Sequence, residues 1–331
     1  MAKKTKKTEP QAEPISTQYI SAESDFTQDD NSAQPPVGDK TALVTIIGRP
    51  SAGKSTFLNT ASGEEISIVS SYPQTTRNAI KGIVNTSLGQ LVFVDTPGYH
   101  DSEKKMNLRM RSIVTDQLES ADAILYVVDA SRPCGEEERA ITELLKNHTD
   151  KLVAAINKID DRHANPAQAQ AFVQTELPGL DAGKIIQMSA KDDTGINEVL
   201  RALYDIAPIA PHLYSEEFYT DQEVDFRIAE VIREQAMNRL SQEIPHAIYV
   251  QIADMEMKKA NEMWVRAFLC VERESQKGIV IGKGASLIKT IRVESIKKLR
   301  KIFPYRIDLD LQVKVDKNWR QKDSRLDKLI K

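Results

Sequence analysis

Gly48-Arg49-Pro50-Ser51-Ala52-Gly53-Lys54-Ser55 decides how this chain is read. Two glycines, a lysine and a hydroxyl residue at that spacing make a phosphate-binding loop. The stretch also stands where such a loop must stand, after the apolar run Ala42 to Ile47 and before a helix starting near Thr56. The glycines let backbone N–H groups converge on phosphate oxygens at a helix N-terminus. Lys54 brings a point charge to the β- and γ-phosphates, and the Ser55 hydroxyl can ligate Mg²⁺. Chance alone produces the spacing in a chain of 331 residues on the order of once in a hundred, and the strand–loop–helix setting lowers that further.

Outward from the loop, apolar runs of strand length recur at Leu91 to Val94, Ala123 to Val128, Leu152 to Ile156 and Ile185 to Met188, separated by segments long enough for crossover helices. Such runs suit strands buried on both faces, so a doubly wound α/β domain around a parallel sheet is expected. Chemistry-bearing residues follow these runs. Asp95-Thr96-Pro97-Gly98 places an acid where Mg²⁺ is held through a water, and the Gly98 N–H can meet the γ-phosphate. Pro73-Gln74-Thr75-Thr76-Arg77 reads as a switch in which a threonine, Thr76 or else Thr75, completes the metal shell. In Asn157-Lys158-Ile159-Asp160 the Asp160 carboxylate only accepts, so it pairs with the N1–H and N2–H₂ donors of guanine and finds no such pair on adenine. A backbone N–H of Ser189-Ala190-Lys191 can donate to guanine O6. The ligand expected is GTP with Mg²⁺. Its contacts are Gly48 to Thr56, Asp95 to Tyr99, Asn157 to Asp160 and Ser189 to Lys191, its metal ligands Ser55, Thr76 and Asp95, and its catalytic groups Lys54, Thr76 and Gly98.

Composition agrees with a chain of about two domains: 40% hydrophobic, 28% charged, mean hydropathy -0.41. No run approaches the roughly 18 apolar residues of a membrane span, and no apolar stretch follows the N-terminal lysines, so a cytoplasmic protein is expected. Cys134 and Cys270 read as reduced thiols. Residues 1–40 are polar and read as a disordered tail, followed by the nucleotide domain over 41–210, a connector over 211–221 and a smaller α+β domain over 222–331. Charge is segregated: 221–331 carries 23 basic and 17 acidic side chains, a net of +6, and 1–220 a net of -9, so a polyanion is the expected partner of the C-terminal part. Glu136-Glu137-Glu138 reads as the exposed start of a helix, the five histidines show no metal spacing, and Trp264 and Trp319 read as packing residues.

From about Thr41 to Trp319 the sequence resembles the Era family of GTPases. The resemblance rests on the nucleotide motifs, Gln74-Thr75-Thr76-Arg77, the connector Glu217-Phe218-Tyr219-Thr220-Asp221, the pattern Ala229-Glu230-Ile232-Arg233-Glu234, Val271-Glu272-Arg273-Glu274-Ser275-Gln276-Lys277, and Val313-Lys314-Val315 with Trp319. It implies a P-loop GTPase domain followed by a type II KH-like domain that binds the 3′ end of small-subunit ribosomal RNA while the small ribosomal subunit is assembled. It also implies a monomer with peripheral association at the inner face of the cell membrane. A KH domain clamps about four nucleotides with a GxxG turn. Here that turn is Gly282-Lys283-Gly284-Ala285, with Lys289 and Arg292 beyond it as RNA contacts.

Departures from the family pattern matter. Ala285 stands at a glycine position: it is strained if the turn needs φ > 0 and adequate if the site need only be small. Arg292 replaces another glycine, while Lys283, Lys289, Lys297, Lys298, Arg300 and Lys301 keep the face basic. Ser51 stands where the family has an asparagine associated with potassium-assisted hydrolysis, which leaves potassium open. Tyr99 follows Gly98 where Ras-like enzymes place a water-orienting glutamine, so turnover is expected to be slow. The rival reading is an RNA-binding assembly factor whose nucleotide domain scarcely hydrolyses GTP, or a GTPase switch acting on another RNA or protein.

Overall fold

The computed structural model describes residues 39–70, 72, 75–99 and 105–330. The tail expected over 1–40, together with Pro73, Gln74 and His100, falls outside the described residues apart from Asp39 and Lys40.

The apolar runs become a six-stranded sheet. In chain order the elements are β1 (Lys40–Ile47), α1 (Lys54–Ser62), β2 (Ile80–Thr86), β3 (Gly89–Asp95), α2 (Lys105–Ser120), β4 (Ala123–Asp129), α3 (Glu136–Leu145), β5 (Leu152–Asn157), α4 (Pro166–Glu176), β6 (Ile185–Gln187) and α5 (Ile196–Ile206). Strand order is β2-β3-β1-β4-β5-β6, parallel throughout except that β2 runs antiparallel to β3. β3, β4 and β5 are buried at every residue, which is why their sequences are almost unbroken apolar runs. β1 begins at Lys40, one residue before the boundary expected from composition, and α1 begins at Lys54, not near Thr56. β2 was not expected. Its Lys81 and Asn85 interrupt the apolar signal because it is the sheet's outer strand, joined to β3 by a tight turn. Gly89, at φ 131, closes that turn, and a Cβ there would lie 2.0 Å from the Lys40 carbonyl oxygen.

The connector covers the open edge of β2. The Ile83 N–H donates to the Tyr219 carbonyl at 2.9 Å, the Thr220 hydroxyl to the Lys81 carbonyl at 2.8 Å, and the Asn85 amide to the Glu216 carbonyl at 3.2 Å. An edge so occupied offers no template to another chain.

Beyond it come α6 (Val224–Met237), β7 (Tyr249–Lys259), β8 (Glu262–Val271), α7 (Glu274–Ile281), α8 (Ser286–Ile302), β9 (Arg306–Val315) and α9 (Asp323–Leu329). β8 is the centre of a three-stranded sheet, antiparallel to β7 and parallel to β9. Alternate residues of β8, from Met263 through Val265, Ala267 and Leu269, face Ile228 and Ile232 of α6 and Ile291 and Leu299 of α8 in a second core. The sequence pattern carries β8 on to Glu274, but the strand ends at Val271 and α7 starts at Glu274. The Gln276 side chain folds back to accept the N–H groups of Glu272 and Arg273, both at 3.0 Å, and this cap stops the strand. Trp319 is fully buried and donates to the Ala247 carbonyl at 3.0 Å. Trp264 is half-buried, with the Lys258 and Arg266 cations 5.1 and 4.9 Å from its ring centroid. Cys134 and Cys270 are both free. Among the described residues no helix is long and apolar enough to cross a membrane.

The α7–α8 turn resolves the alternatives for Ala285. Gly282, Gly284 and Ala285 all have positive φ, at 74, 61 and 60 degrees, so the alanine sits in the left-handed region. An L-residue there costs roughly 1–2 kcal/mol. Part of this returns when glycine's greater freedom in the unfolded chain is counted. Ala285→Gly is therefore expected to stabilise the protein by about 1 kcal/mol, read as a higher denaturation midpoint at unchanged slope; an unchanged or lower midpoint contradicts the strain.

Candidate functional site

The carboxyl ends of β1, β3 and β5 bring the nucleotide motifs to one end of the sheet. Gly48 passes so close to β4 that a Cβ would lie 2.4 Å from the Val127 carbonyl oxygen. Gly53, at φ 101, precedes the first turn of α1, and a Cβ on it would strike the Asn157 amide at 2.2 Å. Gly98 lies against Pro50, with 2.7 Å left for a Cβ. All three positions need glycine for close contact, and Gly53 needs it for φ as well.

Lys54 is buried, and its ammonium donates to the carbonyls of Gly48 and Arg49 at 3.0 and 3.1 Å. Burial pushes its pKa down to about 8, against the opposing pull of Asp95 and Glu138. A buried cation in this condition at a cavity wall favours the arrival of an anion. The Ser55 hydroxyl donates to Asp95 Oδ2 at 2.6 Å, Ser55 Oγ lies 3.0 Å from Thr76 Oγ1, and Thr76 donates to the same Asp95 oxygen at 3.4 Å. Asp95 is fully buried and its Oδ1 has no hydrogen-bond partner. Burial pushes this carboxyl up, while Lys54 pulls it down. Two hydroxyls and an unsatisfied carboxylate oxygen make a hard-oxygen set that fits Mg²⁺, an ion that keeps water and phosphate ligands of its own. Thr75 also lines the cavity, but its hydroxyl is engaged elsewhere, donating to the Tyr72 carbonyl at 2.6 Å, so the geometry separates the two threonines.

At the base end, the Asn157 amide donates to the Ala52 carbonyl at 2.8 Å and its oxygen accepts the Ala190 N–H at 2.9 Å. One side chain thus joins three loops. Asp160 accepts from the Ser189 hydroxyl at 2.7 Å and lies 3.7 Å from the Lys191 ammonium, and the Ser189 bond holds its carboxyl below the usual range. Lys158, at φ 66, donates to Asp129 at 2.8 Å. The cavity has a volume of about 380 Å³, which suits a nucleotide, and Lys54, Ser55, Thr76, Tyr72 and Lys158 are among the residues that line it.

Not every expected contact reaches the cavity. The Arg49 guanidinium turns away into a buried cluster, its Nε 3.1 Å from Glu138 and Nη2 3.8 Å from Asp129. Glu138, expected on an exposed helix start, is fully buried and accepts the Tyr126 hydroxyl at 2.6 Å; of the three glutamates only Glu136 is exposed. Tyr99 also faces inward: its N–H donates to the Gly48 carbonyl at 3.2 Å, and its ring packs beside Ile47 and Val114 with the Arg111 guanidinium 5.5 Å from the centroid. Within the stretch expected to meet guanine O6, the Ala190 N–H is held by the Asn157 amide oxygen at 2.9 Å and the Ser189 N–H by the Thr194 carbonyl at 2.9 Å.

Residue-by-residue reading of the sequence missed the groups that join the switch to the second domain. Arg77 is buried, donates to the carbonyls of Ile248 and His246 at 2.8 and 3.3 Å, and lies 5.4 Å from the Trp319 ring centroid. Arg233, buried on α6, donates to the Thr75 carbonyl and is held by Glu230 at 2.6 Å. Glu234 accepts the Val69 N–H at 3.1 Å. Lys298 bridges Glu65 and Glu234 at 2.9 and 2.7 Å, which removes it from the basic face of α8. On that face Lys283, Gly284 and Lys289 are exposed, whereas Gly282, Ala285 and Arg292 are half-buried. Among the described residues no group of three or more histidine, cysteine or acidic side chains could hold a metal.

This architecture defines a class: a P-loop nucleotide switch joined to a KH-type module. A family model described as "50S ribosome-binding GTPase" matches residues 43–158, and one described as "KH domain" matches 243–320. GTPase Era of Treponema denticola is 56% identical over 288 residues, covering 87% of this chain and 98% of that protein. GTPase Era of Borreliella burgdorferi is 40% identical over 291 residues, covering 88% and 99%. Two solved structures have TM-scores of 0.83 at 29% identity, covering 87% of this chain and 98% of theirs. One is Era in complex with MgGDPNP and nucleotides 1506–1542 of 16S ribosomal RNA, the other an Aquifex aeolicus Era variant bound to GDP and aluminium fluoride. The chain belongs to the Era family of GTPases.

Removing Arg49's guanidinium takes the cation away from the fully buried Glu138, whereas Asp129 keeps Lys158 and Arg132 at 2.8 and 3.0 Å. Arg49→Ala is expected to lower the unfolding free energy by about 3–5 kcal/mol, read by urea denaturation; a loss below about 1 kcal/mol shows that the buried carboxylates are compensated elsewhere.

Proposed function

We propose that this protein binds and hydrolyses GTP with Mg²⁺, and that its KH module holds the 3′ end of small-subunit ribosomal RNA during subunit assembly under the control of the bound nucleotide. The observation that carries this reading is the setting of Thr76. Its hydroxyl stands with Ser55 and Asp95, while the carbonyl before it and the side chain after it are both gripped by the second domain through Arg233 and Arg77. A change at the γ-phosphate that moves Thr76 must pull on both grips.

The chain's own groups divide the work. Backbone N–H groups from Gly48 to Ser55 and the Lys54 ammonium orient the phosphates, the Gly98 N–H donates to the γ-phosphate, and Asp160 accepts from guanine N1–H and N2–H₂. The chemistry that Mg²⁺ supplies at Ser55, Thr76 and Asp95 is neutralisation of charge on the β- and γ-phosphoryl oxygens. The Tyr99 phenol packs inward, so this position orients no attacking water. Hydrolysis then depends on positioning and electrostatics, and slow intrinsic turnover is expected. The same observation favours a second reading, a GTP-binding assembly factor that scarcely turns over.

Lys54→Ala is expected to abolish GTP binding in a fluorescence titration; retained nanomolar affinity overturns the assigned phosphate site. Multiple-turnover phosphate release, with and without potassium and a 3′-terminal ribosomal RNA fragment, separates switch from binder, and release equal to buffer in every condition establishes the binder. Crosslinking to total cellular RNA is expected to place the footprint at the small-subunit RNA terminus, and a footprint elsewhere replaces that partner. Arg233→Ala is expected to bring the RNA affinities of the GTP-analogue and GDP states to within about twofold; if the wild-type difference persists, the coupling runs through other contacts.

A further inference from the structure

The turn at Gly282-Lys283-Gly284-Ala285 continues into α8, and Lys289 and Arg292, four and seven positions beyond Ala285, fall on one helix face with it. Lys289 is exposed, as a phosphate contact should be. Arg292 behaves differently. It leans over the rim of the sheet, donating from Nε to the Leu309 carbonyl on β9 and from Nη2 to Asp308 Oδ1 at 3.2 Å. β9 is an edge strand, and the side chains of Arg292 and Asp308 are 43% and 54% exposed. A guanidinium has five N–H groups. Two are engaged here, which leaves three beside a carboxylate that keeps one oxygen available.

This arrangement suits a base better than a phosphate. Asp308 offsets the guanidinium charge, and its own charge repels a phosphate brought to the same place. With those contacts made, the pair can offer a base one acceptor, on Asp308, followed by two donors on the guanidinium. Cytosine carries the complement: the N4 amino group meets Asp308, and N3 and O2 meet the two guanidinium donors. Uracil sets its N3–H against a donor. Adenine has a C–H where the second acceptor is needed, and guanine presents the same order as the pair itself. By the helical rise of about 1.5 Å per residue, Arg292 stands about 9 Å along α8 from Ser286, the helix's first residue next to the turn. That lies within the reach of the roughly four nucleotides such a turn clamps.

We propose that Arg292 and Asp308 form a cytosine-reading subsite beside the GxxG turn, fixed in register by the Leu309 carbonyl. The subsite rests on the RNA-binding reading above. It makes Arg292 a specificity-determining residue, distinct from Lys289, which attracts any sequence. A well-placed bidentate contact to the correct base discriminates by roughly tenfold or more.

The test uses the full chain and fluorescence anisotropy with two RNAs, octauridylate and the same octamer carrying one central cytosine. Wild type is expected to bind the cytosine-bearing RNA about tenfold more tightly. Arg292→Ala and Asp308→Asn are each expected to reduce that advantage to less than about twofold. Arg292→Lys is expected to lose the preference too, because an ammonium keeps the charge without the fork. Equal wild-type binding of both RNAs overturns the subsite. So does an Arg292→Ala effect that weakens both by the same factor, which would make Arg292 a fastener of α8 to β9. Binding of neither octamer nor the 3′-terminal ribosomal fragment overturns the RNA reading itself.

Discussion

The Asn157 amide, wedged between the Ala52 carbonyl and the Ala190 N–H, sets the geometry on which the nucleotide site depends. It ties the phosphate loop, the end of β5 and the loop after β6 into one rigid corner, so the distance between the phosphate-binding and base-reading groups is fixed before any nucleotide arrives. Its position explains why residue 53 must be glycine, since a Cβ there would stand on the amide nitrogen. It also explains why the Ala190 N–H is engaged internally. A carboxamide can donate to one loop and accept from the other at once, which no aliphatic or carboxylate side chain of that size can do.

The two domains share a second constraint. Arg77 and Arg233 are buried guanidiniums that donate to backbone carbonyls across the boundary, Arg77 to two and Arg233 to one while Glu230 holds it on its own helix. Guanidinium groups deliver several hydrogen bonds from one rigid plane, so either grip resists small shifts and fails only as a unit. Thr76 lies between them. A hydroxyl whose neighbours are held so firmly on one side, and which meets Ser55 and Asp95 on the other, has few intermediate positions, and that is the property a two-position switch requires.

Much of this was legible in the sequence, and the remainder was not for identifiable reasons. The buried strands were visible because parallel strands covered on both faces leave continuous apolar runs, and the phosphate loop was visible because its spacing is chemical. β2 escaped because an edge strand tolerates Lys81 and Asn85, and α7 because the Gln276 cap that ends β8 is a local bond with no periodic signature. Glu138 defeated the rule that acidic runs at helix starts are solvated, since its partners Arg49 and Tyr126 lie 89 and 12 positions away in sequence. Arg77 and Arg233 stood inside motifs that signalled kinship, but nothing in their immediate neighbours told that they reach across to another domain.

The connector stitched along β2 gives the boundary an unusual character. Ile83, Lys81 and Asn85 depend on Tyr219, Thr220 and Glu216 to occupy their backbone and amide groups, so the segment that leads to the RNA-binding module is also the hem of the nucleotide-binding sheet. Excising the first domain at residue 210 would leave a raw border inviting self-association. The unit that can be inherited or transplanted intact therefore extends past the apparent seam, to the residues that finish the cloth.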